Sequence, residues 1–534
     1  IKTWFKNYNI NINRKHYYLY FLYFFGLLHW FMFFNYNYNS TFLHQDWPFY
    51  HQMYMVYKEA LNQLSIPFNA TLFIGDTLDD AMYGTSRFLA QPWVIYSPQL
   101  LLLKLISVPQ YIIIQYFVFY SISYYGLIHW INELKLSSYA GTFLIIIMSY
   151  NGILISLTAY GGPQESFGYF LILWFIWFVY KFVRNKSMSS RDLFHLSLGM
   201  ALFFFIILSQ ADMHVYSQMV IVAGCILIFY PKKIIWYVFS VFLSLMFSLW
   251  YIIPVSLFSG RLNSFPPIGH WRRSGICGYG LQNGYVGLPF FEISEIDSIF
   301  IKAGKIVFNI IHHFWESLVN TYSTSHDNTQ EYNLYISHIG VILLILALII
   351  VVLRHKNLIM NPGKIRFIFG IMIVCFISIF CFNRWIVQLL QSIHHYNLVN
   401  AVPSRYFRYV FYFTVLLAST GFDDIFNRFH LRRQAFVKVI SLCILMGCLL
   451  VHSYNWWMFN SQKTITLKNQ SEFNVVIYNN INDPNYIYFT ILSYLFSSIL
   501  VLIGIYIYIR PKKYLIGNYY HNIFKQPQDS PGNT

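Results

Sequence analysis

Asp46 is the residue of this sequence whose type and position best suit a catalytic base. It follows the first long apolar run closely, and histidines flank it at positions 44 and 51 (His44 and His51). A carboxylate just above a membrane surface can accept a proton from an attacking hydroxyl, or it can bind a cation. The alternative is that Asp46 only caps or solvates a helix end, and residue type alone favours that interpretation.

Further acidic residues offer weaker candidates for a site. Asp76, Asp79 and Asp80 lie close together in the same segment, but their spacing is not that of a calcium-binding loop. We assign Asp80 a supporting role at most and predict no firm metal site or cofactor, although a divalent cation assisted by these acids is an alternative. Asp212 and His214 form another candidate pair at a short turn, where a buried polar pair satisfying itself is equally plausible.

Two arginines in a later segment have the residue types of an anion-binding site. The sequence reads His270-Trp271-Arg272-Arg273, followed by a glycine-rich stretch over residues 277–284. Paired guanidinium groups together with backbone N–H groups of a glycine-rich turn can hold a phosphate. Contact with anionic lipid headgroups is the alternative for the same residues.

Arg405 and Arg408 are one helical turn apart at the start of a predicted membrane span. Arginine at the outer end of a span runs against the usual concentration of positive charge on the cytoplasmic side. Such a residue is more often functional than a cytoplasmic arginine. We therefore add both residues to the candidate phosphate-binding set.

The composition identifies the elements that must position these residues as transmembrane helices. Of the 534 residues, 57% are hydrophobic and only 10% are charged, whereas a soluble protein carries roughly 25% charged residues. The apolar residues form uninterrupted runs, and in hydrocarbon such runs satisfy their backbone groups as helices. The net charge of +16 does not indicate a nucleic-acid partner, because many basic residues cluster in short connections.

We predict an all-α polytopic bundle of about twelve membrane spans. Lysine and arginine concentrate in every second connection, which places both termini in the cytoplasm. The long connections then lie on the outer side, at residues 35–104, 258–333, 383–404 and 452–486. The predicted spans cover residues 17–36, 108–130, 140–159, 167–184, 192–209, 215–230, 234–257, 334–353, 366–383, 405–422, 435–455 and 487–510.

Several short motifs occur in an order and spacing that resemble a known family. They are Asp46, Ser65-Ile66-Pro67-Phe68-Asn69, Phe88-Leu89-Ala90-Gln91-Pro92, Trp250-Tyr251-Ile252-Ile253-Pro254, Tyr335-Ile336-Ser337-His338-Ile339-Gly340 and Pro403-Ser404-Arg405-Tyr406-Phe407 through Gly421-Phe422-Asp423. This pattern resembles the YfhO-like bacterial membrane proteins of the GT-C glycosyltransferase superfamily. Two features depart from it: Ala211-Asp212-Met213-His214 replaces a Gly-His-Pro-Gln turn, and the predicted outer segment 452–486 stands where longer relatives have a large outer C-terminal domain.

The resemblance implies an organisation of four parts. A cytoplasmic segment covers 1–16 and a GT-C-like core covers 17–425; C-terminal spans cover 426–516 and a disordered tail covers 517–534. It further implies a bacterial plasma (inner) membrane location.

The same resemblance implies sugar transfer from a polyprenyl-phosphate donor to an extracytoplasmic acceptor. Asp46 would be the base, Arg272, Arg273, Arg405 and Arg408 would bind the donor phosphate, and His44, His51, Asp80, Asp212, His214 and His270 would support them. The alternative is a non-catalytic GT-C-like subunit that assembles with partner membrane subunits. A transporter is disfavoured, because ion coupling needs ionisable groups within the spans and these are scarce here.

Overall fold

Helices form nearly all of the regular structure in the part of the chain that the computed structural model describes. The described residues are 17–36, 47–65, 69–73, 98–158, 163–184, 188–211, 213–258, 336–354, 370–374, 404–428, 477–481 and 484–509, with isolated positions between 298 and 308 and between 446 and 450. The helices are α1 (Tyr17–Tyr36), α2 (Trp47–Asn62), α3 (Val108–Glu133), α4 (Ser138–Ser149), α5 (Gly152–Ser156), α6 (Pro163–Phe170), α7 (Ile172–Arg184), α8 (Ser190–Gln210), α9 (Met213–Leu227), α10 (Pro231–Phe247), α11 (Leu249–Phe258), α12 (Ser337–Arg354), α13 (Ser404–Arg428) and α14 (Pro484–Ile509).

Four of the described stretches are long and apolar enough to cross a membrane: Val108–Glu133, Ser138–Ile155, Ser190–Gln210 and Pro484–Ile509. Shorter apolar helices cover Tyr18–Phe34, Val215–Leu227 and Gly340–Val351. All seven overlap predicted spans, so the prediction of a helical protein that can span a membrane is supported. The count of twelve and the orientation stay predictions, and the predicted spans 366–383 and 435–455 lie mostly outside the described residues.

Helices α1 and α3 run in opposite directions, as the contacts at their two ends show. The Tyr124 hydroxyl of α3 donates a hydrogen bond to the Leu19 carbonyl near the start of α1. Trp30, near the end of α1, packs against Tyr116 at a ring-centroid distance of 5.6 Å. Because these pairs run in opposite sequence order, α1 and α3 are antiparallel.

One end of the helix bundle gathers several described charged side chains. Glu133 at the end of α3 forms ion pairs with Lys181, at 3.4 Å, and with Arg184, both on the last turn of α7. Lys233, near the start of α10, donates hydrogen bonds to the carbonyl oxygens of Phe182 and, at 3.4 Å, Val183. We call this the basic end and the opposite end the Arg408 end. Burial lowers the pKa of the Lys233 ammonium.

Serine side chains cap three helices that lead into the bundle. Ser107, Ser137 and Ser189 all have extended backbone conformations, and their side chains accept hydrogen bonds from the first turns of α3, α4 and α8. At α3 the Gln110 side chain also accepts a hydrogen bond from the Ser107 backbone at 3.1 Å, which completes a capping box. These caps satisfy N–H groups that the helices themselves leave without acceptors.

Three of the predicted spans are interrupted where continuous helices were expected. The span predicted over 140–159 breaks between α4 and α5 at Tyr150 and Asn151, toward the Arg408 end. The span predicted over 167–184 breaks between α6 and α7 at Leu171, also toward that end, and the span predicted over 234–257 breaks between α10 and α11 at Ser248. Asn151 provides the physical reason for the first break, because its Oδ1 accepts hydrogen bonds from Ile153 N at 3.1 Å and Leu154 N at 3.3 Å. A side chain that competes in this way restarts the helix.

A short antiparallel ladder adds two strands that the sequence did not lead us to expect. Strand β1 (Asn69–Phe73) pairs with β2 (Ile477–Ile481), with Asn69 opposite Ile481 and Phe73 opposite Ile477. Strand β1 comes shortly after α2, and β2 comes just before α14. The ladder therefore joins the beginning and the end of the described chain at the Arg408 end, where α14 begins and α1 finishes.

Helix α2 and the 3-10 helix over Pro98–Lys104 also lie at this end. The Tyr54 ring of α2 packs against Tyr111, at the start of α3, with centroids 5.4 Å apart. The Lys58 ammonium donates a 3.0 Å hydrogen bond to the Ile106 carbonyl. These contacts hold α2 against the beginning of α3, so the segment that follows Asp46 is packed at the Arg408 end.

Candidate functional site

Arg408 is the most deeply buried charged side chain in the described part of the chain. It lies one turn into α13 and is only 1% exposed. A guanidinium keeps its charge under all ordinary conditions, and burying a charge costs free energy unless polar groups surround it. The groups around Arg408 are therefore candidates for a binding site.

Tyr169 contacts Arg408 in two ways. The Nη1 group of Arg408 donates a hydrogen bond to the Tyr169 hydroxyl oxygen at 3.3 Å. The guanidinium carbon also lies 5.2 Å from the centre of the Tyr169 ring, a distance at which the negative ring face attracts a cation. Tyr169 is on α6, just before the break at Leu171, so the interruption of that span carries the residue that binds Arg408.

Gln218 of α9 extends the network. The Tyr169 hydroxyl donates a hydrogen bond to Gln218 Oε1 at 3.1 Å. Gln218 is 1% exposed, and its Nε2 group has no hydrogen-bond acceptor among the described residues. Each N–H left without an acceptor in a buried site has a free-energy cost, so this amide has an unused capacity to bind an oxygen atom.

A second tyrosine connects the network to the broken helix. Tyr412 lies one turn after Arg408 on α13, and its hydroxyl oxygen is 3.4 Å from Nδ2 of Asn151. The same Nδ2 donates to the carbonyls of Ile147, at 3.1 Å, and Met148, at 2.8 Å. The break in the helix deprives these buried carbonyls of their usual backbone donors. Asn151 thus stabilises the break and contacts α13 at the same time.

Antiparallel packing of α4 and α13 sets the level of these residues along the bundle. At the basic end Asp423 of α13 accepts a hydrogen bond from the Ser137 backbone N–H at 2.7 Å. Further along, the Phe143 and Phe422 rings stack with centroids 4.6 Å apart. These contacts place the start of α13, with Arg408, beside the end of α4, so the network lies at the opposite end from the ion pairs of Glu133.

The arrangement has the chemistry of an anion site. An arginine guanidinium offers planar, paired donors that match phosphate or carboxylate oxygens. In a buried site with low effective dielectric, its attraction for an anion is much stronger than in water. Within the described ranges no group of three or more His, Cys, Asp or Glu side chains is arranged to hold a metal ion.

Most of the residues singled out from the sequence lie outside the described part of the chain. Arg408 is described and sits at the centre of a buried polar network. Arg405, His51 and His214 lie in α13, α2 and α9, but only their backbone positions are described. The remaining candidates, outside the described residues, are Asp46, His44, Asp80, Asp212, His270, Arg272 and Arg273.

Sequence reasoning missed Tyr169, Gln218, Tyr412 and Asn151. Gln218 and Asn151 stand as isolated polar side chains within apolar runs, which is the signal that would have marked them. The tyrosines carried no such signal, because the chain contains 45 of them.

Comparison with known proteins gives no relative for this chain. No family model, curated protein or solved structure matches it.

Proposed function

We propose that this protein is a membrane glycosyltransferase that moves a sugar from a polyprenyl-phosphate donor to an acceptor outside the cytoplasm. The observation that supports this most is the buried guanidinium of Arg408, which lies among polar side chains at the end of the bundle opposite the ion pairs of Glu133. Concentration of basic residues on the cytoplasmic side would put the Arg408 end outside. The sequence resemblance to YfhO-like proteins of the GT-C superfamily points to the same chemistry.

The proposed reaction needs a base on one side of the sugar and positive charge on the other. The acceptor hydroxyl oxygen attacks the anomeric carbon, and its proton passes to the carboxylate of Asp46. The bond between the anomeric carbon and the phosphate oxygen breaks, and its electron pair stays on the polyprenyl phosphate. Arg408 stabilises the charge that develops there. Arg405, Arg272 and Arg273 are further proposed contacts of that phosphate.

The proposed topology has about twelve spans in a bacterial inner membrane, with both termini in the cytoplasm. Two described features fit it. Val108–Glu133 and Pro484–Ile509, with 26 residues each, are long enough to span a hydrocarbon core about 30 Å thick. The opposite directions of α1 and α3, which are successive predicted spans, are also what a chain crossing a membrane repeatedly requires.

Transfer in proteoliposomes tests the function. The purified chain is reconstituted with radiolabelled polyprenyl-phosphate sugars and a cell-envelope acceptor fraction, and product formation is compared with Arg408→Lys, Arg408→Gln and Asp46→Asn. We expect losses of about 100-fold or more for Arg408→Gln and Asp46→Asn, because each removes a group that acts in the transition state. Arg408→Lys should retain part of the activity, since it keeps the charge but not the paired donors.

Arg184→Gln is the matched control, because Arg184 is an ion-paired arginine at the basic end with a 55% exposed side chain. Transfer by this variant should equal wild type, and thermal unfolding of every variant in detergent separates lost activity from lost folding. Equal transfer by wild type and a folded Arg408→Gln variant would refute the proposal. Stable co-purification of partner chains with no turnover by any form would instead support the alternative, a non-catalytic subunit.

A further inference from the structure

The carboxamide of Gln218 has a fixed orientation. Its Oε1 accepts the hydrogen of the Tyr169 hydroxyl at 3.1 Å, so Nε2 is the end left for another contact. The oxygen of that hydroxyl accepts a hydrogen bond from Arg408 Nη1 at 3.3 Å, which fixes the direction in which the hydroxyl donates. A tyrosine that accepts from a cation keeps its one hydrogen for donation, and Gln218 Oε1 accepts it here. If the carboxamide were rotated by half a turn, Nε2 would point at the hydrogen of the Tyr169 hydroxyl, and the hydrogen bond to Oε1 would be lost.

The Arg408 guanidinium donates to the Tyr169 hydroxyl and the Gln218 carboxamide accepts from it, so these two side chains lie close together. Both side chains are 1% exposed, in a region where a lone N–H donor is costly. A protein gains nothing in stability from Gln218 Nε2, which has no acceptor among the described residues. An oxygen atom of a bound ligand would satisfy this donor and explain why it is buried.

We propose that Gln218 Nε2 and the Arg408 guanidinium together bind one oxyanion group, with the Tyr169 hydroxyl holding both in position. The chemical class of the ligand is a phosphate ester oxyanion, because a guanidinium and a neutral N–H donor can contact separate oxygens of one phosphate group. The site is the one used in the proposed function, on which this inference builds. Gln218 is a binding residue, and Tyr169 is a positioning residue.

Ligand binding to the whole purified chain tests the proposal without any transfer reaction. Three probes are used. Farnesyl phosphate carries the phosphate on a lipid, inorganic phosphate is the free ion, and farnesol is the same lipid without the charge. Binding is followed by calorimetry in detergent and by the rise in the unfolding temperature with probe concentration. Tighter binding of farnesyl phosphate than of inorganic phosphate identifies a lipid source, and the reverse identifies a soluble one.

The informative variants are Gln218→Glu and Gln218→Met. Glutamate keeps the acceptor for Tyr169 but places an oxygen where Nε2 was, so it should pair with Arg408 and exclude the anion. Methionine has a similar size and removes the donor. We expect both to weaken phosphate binding about 10- to 100-fold, the effect of one buried hydrogen bond to a charged group. Farnesol binding should not change.

Gln115 provides a matched control. It is also a buried glutamine bonded to a tyrosine, donating from Nε2 to the Tyr111 hydroxyl at 2.6 Å, but Tyr111 does not belong to the Arg408 network. Gln115→Glu and Gln115→Met should bind the phosphate probes as wild type does. Tyr169→Phe should weaken binding while leaving the chain folded, and this loss should be smaller in the Gln218→Met background.

The outcomes separate this inference from the proposed function. If Gln218→Glu and Gln218→Met remain folded and bind the phosphate probes with wild-type affinity, the paired oxyanion site is wrong, whatever the transfer assay shows. If they lose binding while the Gln115 variants keep it, the site is supported even in a chain that transfers no sugar. If the Gln115 variants lose binding equally, the effect of Gln218 is general packing and the inference falls.

Discussion

Gly421 permits a close approach between α13 and α12, and replacing it with alanine should separate the two helices. A methyl group at this position would overlap the Ala347 carbonyl oxygen and lie 2.7 Å from Cγ2 of Val351. A backbone carbonyl cannot rotate away, so the helices must shift. Overpacking of this kind costs about 1–3 kcal/mol, and the better helix propensity of alanine returns about 1 kcal/mol. We expect Gly421→Ala to lower the free energy of unfolding by up to about 2 kcal/mol.

The assay is equilibrium unfolding in mixed micelles of a mild detergent and dodecyl sulfate, followed by loss of helical circular dichroism. Gly224 supplies the control, because the one described atom that a methyl group there would meet is Tyr237 Cε1, at an ordinary 3.8 Å. Gly224→Ala should therefore be neutral or stabilise the protein by up to about 1 kcal/mol. The reasoning is refuted if Gly421→Ala and Gly224→Ala have equal stability.

Two further predictions concern the basic end. Asp423→Ala should lower the free energy of unfolding by about 1–2 kcal/mol, because the Ser137 N–H at the start of α4 loses its acceptor. Asp423→Asn keeps an acceptor oxygen and should keep most of the stability. Equal losses in the two variants would contradict this. The buried ammonium of Lys233 leads us to expect a pH effect. Burial lowers its pKa in the folded state, so between the folded pKa and the unfolded pKa of 10.5 the unfolded chain binds more protons than the folded chain. The free energy of unfolding of the wild type therefore rises with pH in that interval. Unfolding measured at pH values across that interval should show this rise in wild type and lack it in Lys233→Met, and an equal rise in both proteins would show that Lys233 is not its source.

The positions of the apolar helices could be predicted because hydrocarbon sets a minimum length for each run. Helix α1 was predicted over 17–36 and forms over those residues. The breaks could not be predicted in the same way. A window of about 20 residues averages over one asparagine, and Asn151 interrupts its helix through contacts with particular backbone groups.

The sequence singled out one residue of the network that forms the candidate site, Arg408. Arg408 stood out because an arginine at the outer end of a predicted span runs against the usual concentration of positive charge on the cytoplasmic side. Its partner Tyr169 is 239 positions away along the chain, and no local pattern in the sequence reports such a pairing. The network exists because α6, α9 and α13 pack together, which depends on tertiary structure. Asp46 stays a prediction, since it lies outside the described residues.

The pairing of β1 with β2 has a consequence for the order in which the protein is made. Strand β1 ends at residue 73 and its partner begins at residue 477, so β1 has no partner until most of the chain has been synthesised. Contacts between such distant segments form late and carry a large closure entropy. Biosynthesis proceeds from the N-terminus, so the segment after α2 completes its structure only after the intervening helices have been inserted. Synthesis of β2, rather than insertion of the first helices, is therefore the earliest stage at which β1 can pair.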